Sequence, residues 1–93
     1  MPSTSETNAP VRLLYFAWVR EKIGRAQETR VLPGDLSTIT DLISWLKTQG
    51  PEYAEAFARE GVIRAAIDQR HVKADARIAD AREIAFFPPV TGG

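Results

Sequence analysis

The first third of the chain carries a pattern that predicts two strands joined as a hairpin. Residues 11–18 are dominated by aromatic and aliphatic side chains, a composition typical of a strand in a sheet. Residues 19–23 break this pattern with charged side chains, and Gly24 favours a turn. Residues 27–32 form the second predicted strand, after which a Pro-Gly pair at 33–34 favours another turn.

The middle of the chain predicts two helices. One apolar stripe at i, i+3, i+4 and i+7 is formed by Ile39, Leu42, Ile43 and Leu46. Thr38 is a suitable N-cap for this helix, and Asp41 lies three residues later, near the positive end of the helix dipole. A second, shorter helix is predicted over residues 52–59 and is expected to end at Gly61.

The last third returns to strands. Residues 62–68 alternate between apolar and polar side chains and predict a half-buried strand, with a short return strand over 71–73. Residues 83–87 form the final predicted strand, which Pro88 and Pro89 end because proline supplies no N–H to a ladder. Two strands, a helical segment and further strands within so short a chain indicate an α+β fold.

Charged residues assign the faces of the first and last predicted strands. Arg12 marks the outward positions of the first strand, so Leu14 and Phe16 also point outward. Glu83 marks the outward positions of the last strand, so Phe87 points outward as well. The residues predicted to face the helix are Val11, Leu13, Tyr15, Ile84 and Phe86. Leu14, Phe16 and Phe87 would then form an apolar patch of the kind that marks a partner surface. The alternative is that loops or the leader bury both faces of the sheet.

Composition excludes several classes of function. The chain has 93 residues, 12 basic and 12 acidic side chains, one His and no Cys. This length predicts one domain. Zero net charge argues against nucleic-acid binding, and the lack of Cys excludes disulfides, a thiol nucleophile and thiolate metal sites. With one His, no metal site is expected. The longest apolar run, residues 13–19, is far too short to span a membrane.

The first ten residues are polar, with neither a basic n-region nor an apolar h-region. We therefore expect a disordered leader over residues 1–10 and a cytoplasmic protein.

The last ten residues contain no charged side chain, which is unusual for a chain end. The tail, defined here as residues 88–93, consists of Pro88, Pro89, Val90, Thr91, Gly92 and Gly93. The two prolines favour extended geometry, and the tail can reach about 20 Å from Phe87. A thin, uncharged rod that ends in two glycines suits insertion into a channel that admits only backbone.

The terminal carboxylate of the tail is itself a reactive group. It can attack the α-phosphate of ATP to give an acyl-adenylate, and sulfur transfer to that acyl group yields a thiocarboxylate. The alternative is that Gly-Gly is merely a flexible end.

Residues 11–93 resemble a known family, the small subunits of molybdopterin synthase, which are ubiquitin-like sulfur carriers. The matching motifs are Tyr-Phe-Ala at 15–17 with Val-Arg-Glu at 19–21, Ala-Ile-Asp-Gln at 66–69, and Glu-Ile-Ala-Phe-Phe-Pro-Pro-Val-Thr-Gly-Gly at 83–93. The ending is the most specific of these. Two positions depart from the family pattern: Asp68, where the family often has Asn, and Ala81, where the turn is often Asp-Gly.

The resemblance implies a fold and a division of the chain. The fold would be an α+β β-grasp, a mixed sheet of four to five strands with one main helix packed on one face. The domain would occupy residues 11–87, and the extended tail residues 88–93.

The resemblance also implies a mechanism and partners. An E1-like enzyme would adenylate Gly93 with ATP, and a sulfur donor system would convert the adenylate into a thiocarboxylate. The tail would then enter the large subunit of the synthase and donate sulfur to cyclic pyranopterin monophosphate, forming the dithiolene of molybdopterin. The chain would have no permanently bound cofactor and no active site of its own.

The same resemblance suggests roles for individual residues. Gly93 would carry the sulfur, and the rest of the tail would line the partner's channel. Phe16 and Phe87 would belong to the docking surface that the outward patch with Leu14 indicates. Arg20 lies in a charged segment that is either a solvated turn or the polar rim of that surface.

Three other functions stay open at this point. The chain could carry sulfur for thiamine or tRNA thiolation, modify proteins through Gly93 as ubiquitin does, or act as an interaction module that needs no Gly-Gly end. The Phe-Phe-Pro-Pro segment at 86–89 favours the molybdopterin pathway.

Overall fold

A computed structural model describes residues 9–89 of the chain, apart from the side chain of Glu60. In chain order the elements are β1 (Pro10–Tyr15), α1 (Ala17–Ile23), β2 (Gln27–Val31), α2 (Ile39–Leu46), α3 (Pro51–Ala56), a 3₁₀-helix (Glu60–Val62), β3 (Arg64–Ile67), β4 (Arg70–Val72) and β5 (Glu83–Phe87). The predicted α+β class is confirmed.

The five strands form one mixed sheet in the order β2-β1-β5-β3-β4. β1 and β2 pair as the predicted antiparallel hairpin, and β3 pairs antiparallel with both β4 and β5. β1 and β5 lie side by side in the centre and run parallel, with Leu13 opposite Ile84 and Tyr15 opposite Phe86. β1 and β5, the first and last strands of the domain, therefore both terminate at the same end of the sheet.

The core lies between the inward face of the sheet and α2. The stripe of α2 predicted from its spacing is buried throughout, from Leu42 and Leu46 at 0% exposure to Ile43 at 3%. Thr38 caps the helix as expected: its hydroxyl accepts from the Asp41 N–H at 3.2 Å, and the Asp41 carboxylate accepts from the Thr38 N–H at 3.2 Å. This capping box fixes where the chain enters α2.

The first predicted strand is wrong at its end. It stops at Tyr15, and the chain enters α1 within two residues. Ala17 has a φ of 55°, a left-handed backbone that makes the sharp change of direction. Val19 and Ile23 lie one helical turn apart and are buried, so their burial stabilises a helix where the aromatic composition favoured a strand.

The second helix and the strand after it are shorter than predicted. α3 ends at Ala56, and Gly61 lies inside the 3₁₀-helix instead of ending α3. β3 covers only Arg64–Ile67 of the predicted 62–68, and the return strand is Arg70–Val72. The last strand has the predicted bounds, Glu83–Phe87.

A polar network lies at the inward face of the edge strand β2. Glu28, whose side chain is 11% exposed, accepts hydrogen bonds from the hydroxyls of Tyr15 at 2.7 Å and Tyr53 at 2.6 Å. The Arg25 guanidinium donates to the other carboxylate oxygen at 3.0 Å, and that of Arg30 lies 3.7 Å from it. One carboxylate thus joins β1, β2 and α3.

The titration of these groups reflects burial and hydrogen bonding. Burial alone raises the pKa of Glu28, but hydrogen bonds from Tyr53, Tyr15 and Arg25 outweigh it, so the net shift is downward. Burial, followed by the hydrogen bond to Glu28, raises the pKa of Tyr53 to about 12 and moves that of Tyr15 well above its ordinary value. The carboxylate is therefore charged and both phenols are neutral at neutral pH.

We expect Glu28→Gln to destabilise the fold at neutral pH by about 1–3 kcal/mol, because it removes charge-assisted hydrogen bonds from a partly buried site. The folded-state pKa of Glu28 lies below its ordinary value of 4.5. The stabilisation is therefore complete above that ordinary value and is lost as the pH falls through the folded-state pKa. Urea unfolding of both proteins across this pH range measures the difference.

The matched control for this substitution is Glu21→Gln on the exposed side of α1. It should leave the free energy of unfolding nearly unchanged. An equal loss in both variants, or a gap between wild type and Glu28→Gln that persists in strong acid, would contradict the role assigned to Glu28.

Candidate functional site

The tail leaves the domain from the central strand of the sheet. β5 lies between β1 and β3, and Pro88 and Pro89 follow it directly as half-buried residues. Because neither proline has an N–H, the ladder cannot continue into the tail. Val90, Thr91, Gly92 and Gly93, for which the sequence predicts the reactive end, lie outside the described residues.

The outward face of the sheet brings the predicted apolar residues together. Arg12 and Glu83 pair across the β1–β5 ladder, with an ion pair of 2.8 Å on this face. Leu14 lies two residues along from Arg12, opposite Ala85, as the alternation of a strand requires. Phe87 ends β5 on the same face, so the predicted orientation of both strands is correct.

Phe16 extends this patch beyond the end of β1. Its backbone is extended, and its N–H donates to the Phe86 carbonyl at 3.1 Å, which prolongs the parallel ladder by one residue. The side chain is 47% exposed, a large fraction for a phenylalanine. We call Leu14, Phe16, Ala85 and Phe87 the outer patch.

The structure adds neighbours to the outer patch that sequence reasoning did not place there. Ala66 lies opposite Ala85 on one side and His71 on the other. The His71 ring is 5.1 Å from the Phe87 ring, and Arg64 lies opposite Phe87 in the ladder. These neighbours depend on the register of β3 and β4, which local alternation alone does not specify.

Arg20 lies near the patch because the segment that holds it is a helix. The Arg20 N–H lies 3.4 Å from the Phe16 carbonyl, so the two residues are one turn apart. Its side chain is exposed. The structure thus places Arg20 one helical turn from Phe16, and its role as a polar rim stays a prediction.

Asp68 holds the start of β5 and thereby the strand that leads into the tail. Its carboxylate accepts from the backbone N–H groups of Arg82 at 3.1 Å and Glu83 at 3.0 Å. Asp68 and Gln69 have φ values of 49° and 72°, as a two-residue hairpin turn requires. The position thus needs a short side chain with an acceptor oxygen that tolerates left-handed backbone.

The described residues contain no group of three or more His, Asp or Glu side chains that could hold a metal ion. No helix within residues 9–89 is long and apolar enough to cross a membrane.

The fold and the site define a β-grasp domain whose last strand leads into a Gly-Gly tail beside an apolar patch whose most exposed member is Phe16. A model of the ThiS family matches residues 13–93, and the chain belongs to this family.

Curated relatives agree with this assignment. The chain is 36% identical over 83 residues to the molybdopterin synthase sulfur carrier subunit of Escherichia coli K12, which covers 89% of this chain and 99% of the relative. It is 35% identical over 83 residues to the subunit of the same name from Haemophilus influenzae, with the same coverage.

Solved structures share the fold. A putative molybdopterin converting factor subunit 1 from Pyrococcus furiosus has a TM-score of 0.67 and 26% identity, covering 88% of this chain and 99% of that one. Small archaeal modifier protein 1 of Haloferax volcanii has a TM-score of 0.68 at 24% identity, covering 91% of this chain and 100% of that one. Because its identity is only 24%, the second structure supports the shared fold and nothing further.

We expect Asp68→Ala to lower the free energy of unfolding by about 1–2 kcal/mol, because two backbone donors lose their acceptor and alanine is strained at positive φ. Asp68→Asn keeps an acceptor oxygen and tolerates this backbone, so it should stay close to wild type. Thermal unfolding of the three proteins measures the difference. Equal stability of all three would show that the contacts to Arg82 and Glu83 contribute nothing.

Proposed function

We propose that this chain is the sulfur-carrying small subunit of a molybdopterin synthase, with the sulfur held on Gly93. The observation that carries the proposal is the uncharged Gly-Gly tail that leaves the central strand beside the outer patch. Membership of the ThiS family and 36% identity to a curated sulfur carrier subunit support it. We place this function in the cytoplasm, where ATP is available.

The proposed loading step takes place at the chain end. A carboxylate oxygen of Gly93 attacks the α-phosphorus of ATP on an E1-like enzyme, and pyrophosphate leaves. A nucleophilic sulfur from the donor system then attacks the acyl carbon and displaces AMP. The donor sulfur is taken as the terminal atom of a persulfide, so this attack gives an acyl disulfide. A thiol of the donor system then attacks the neighbouring sulfur, the S–S bond breaks, a disulfide forms on the donor, and a thiocarboxylate, a nucleophile at neutral pH, remains on Gly93.

In the proposed transfer step the tail enters the large subunit of the synthase. The thiocarboxylate sulfur bonds to a side-chain carbon of cyclic pyranopterin monophosphate, and the carbon–oxygen bond at that carbon breaks, so that its oxygen departs on phosphate or as water. Water then cleaves the bond between that sulfur and the Gly93 acyl carbon, which restores the carboxylate. Two such transfers supply the two sulfur atoms of the dithiolene.

The chain's own residues present the sulfur and do not activate it. The prolines at 88 and 89 restrict the backbone at the root of the tail, so less conformational entropy is lost when a channel encloses it. Gly92 and Gly93 lack side chains, which leaves the acyl carbon open to approach. The chain has no Cys, so no thiol of the carrier competes for the activated acyl group.

The outer patch supplies the docking surface in this proposal. Phe16, Phe87 and Leu14 form its apolar centre, and Arg20 lies on its rim. Aromatic side chains are enriched at protein interfaces, and Phe16 is the exposed aromatic side chain of this patch. The large subunit of the synthase and the activating enzyme must each contact the domain near the tail.

Incubation with ATP, an E1-like enzyme and a sulfur donor should raise the intact mass by about 16 Da, because sulfur replaces one oxygen of the Gly93 carboxylate. Deletion of Gly93 should abolish molybdopterin formation without altering thermal unfolding, since the deletion lies beyond the sheet. Normal molybdopterin synthesis by the truncated protein would overturn the proposal.

We expect Phe16→Asp to weaken binding to the large subunit of the synthase at least about tenfold, because it places a charge within an apolar contact surface. Calorimetric titration of the large subunit measures the affinity. The matched control is Val31→Asp, which changes a valine that is 56% exposed on the edge strand β2. Equal affinities for the two variants would remove Phe16 from the docking surface.

A further inference from the structure

A second apolar surface lies at the root of the tail, on the side of α1 and α3. It is a groove of about 420 Å³ between Trp18 of α1 and the segment that follows α3. Val62 at the end of the 3₁₀-helix forms part of its lining, and Pro88 and Pro89 close it. We call this surface the tail-root groove.

The exposure of Val62 sets the groove apart from ordinary surface. Among the residues that the structure describes, the large hydrophobic side chains with high exposure are Phe16 at 47%, Val31 at 56% and Val62 at 37%. Phe16 belongs to the outer patch, and Val31 lies opposite Pro10 at the far end of β1. Val62 and Trp18 therefore form an apolar surface at the tail end that the outer patch does not include.

The rim of the groove carries an arginine without an ion-pair partner among the residues that the structure describes. Lys22 Nζ lies 3.4 Å from Glu55 Oε2, so these two charges offset each other. Arg59 also lines the groove, and its side chain forms no hydrogen bond or ion pair with the other residues that the structure describes. An occupant with a carboxylate beside its apolar group would complement this rim.

The short length of the tail indicates which protein covers the groove. Residues 90–93 span at most about 14 Å when fully extended. A standard interface buries about 800 Å² on each partner, which corresponds to a disc roughly 16 Å in radius. A protein that encloses the end of the tail therefore also reaches the two prolines at its root, which are walls of the groove.

We propose that the tail-root groove receives an apolar side chain of the protein that encloses the tail, with a carboxylate of that protein paired to Arg59. The inference rests on the proposed function, because the occupant belongs to the tail-accepting subunit. Contacts on both sides of the tail, at the outer patch and at this groove, hold the root of the tail in one direction. The entropy lost on insertion is thereby reduced.

The test measures binding of the large subunit of molybdopterin synthase by calorimetry. Val62→Asp should weaken binding about tenfold or more relative to Val31→Asp, the same change at the other exposed valine. Arg59→Glu should weaken binding more than Arg77→Glu, an exposed arginine outside the groove, and salt should reduce this difference. Thermal unfolding identifies any variant that fails to fold. Arg59 is exposed, so its substitution should leave the fold intact, and the test still has an outcome if Val62→Asp does not fold.

The outcomes separate this inference from the proposed function. If wild-type protein does not bind the large subunit, the proposed function fails. If wild type binds and Phe16→Asp does not, while the Val62 and Arg59 variants bind as tightly as their controls, the groove is not a docking site and the proposed function stands.

Discussion

The parallel pairing of β1 and β5 at the centre of the sheet is the constraint on which the rest of the structure depends. It brings strands about 70 positions apart into register and buries Phe86 between the Tyr15 ring at 6.2 Å and the Phe57 ring at 5.1 Å. Because the two strands run parallel, they both terminate at the same end of the sheet. Phe16, Phe87 and the root of the tail therefore lie together, and the outer patch would not lie beside the tail without this pairing.

The hydrogen-bond network around Glu28 links β1 and the edge strand β2 to α3. Partial burial of a carboxylate is costly, and here hydrogen bonds from two tyrosines and the Arg25 guanidinium offset the cost. Through Tyr53 this carboxylate connects the edge strand β2 to α3, the helix whose end forms a wall of the tail-root groove. A network that looks purely structural thus positions a surface beside the tail.

The proposed function divides the molecule into a rigid part that is recognised and an end that reacts. Hydrogen bonds from the backbone N–H groups of Arg82 and Glu83 to the Asp68 carboxylate fix the start of β5, and Pro88 ends its ladder. The domain can therefore be bound tightly while the acyl group stays accessible. A carrier suits this arrangement, because successive partners recognise one surface and act on one carboxylate.

The sequence by itself determined the features set by near neighbours: the stripe of α2, its capping box, the bounds of β5, the outward face of β1, and the uncharged Gly-Gly end. It did not predict α1, because the strand propensity of 15–18 outweighed the one-turn spacing of Val19 and Ile23. Nor did it place Glu28 inward, since its partners come from β1 and α3. Only the tertiary structure decided which distant strands pair and which side chains lie around the root of the tail, because contacts between distant segments depend on the register of the whole sheet.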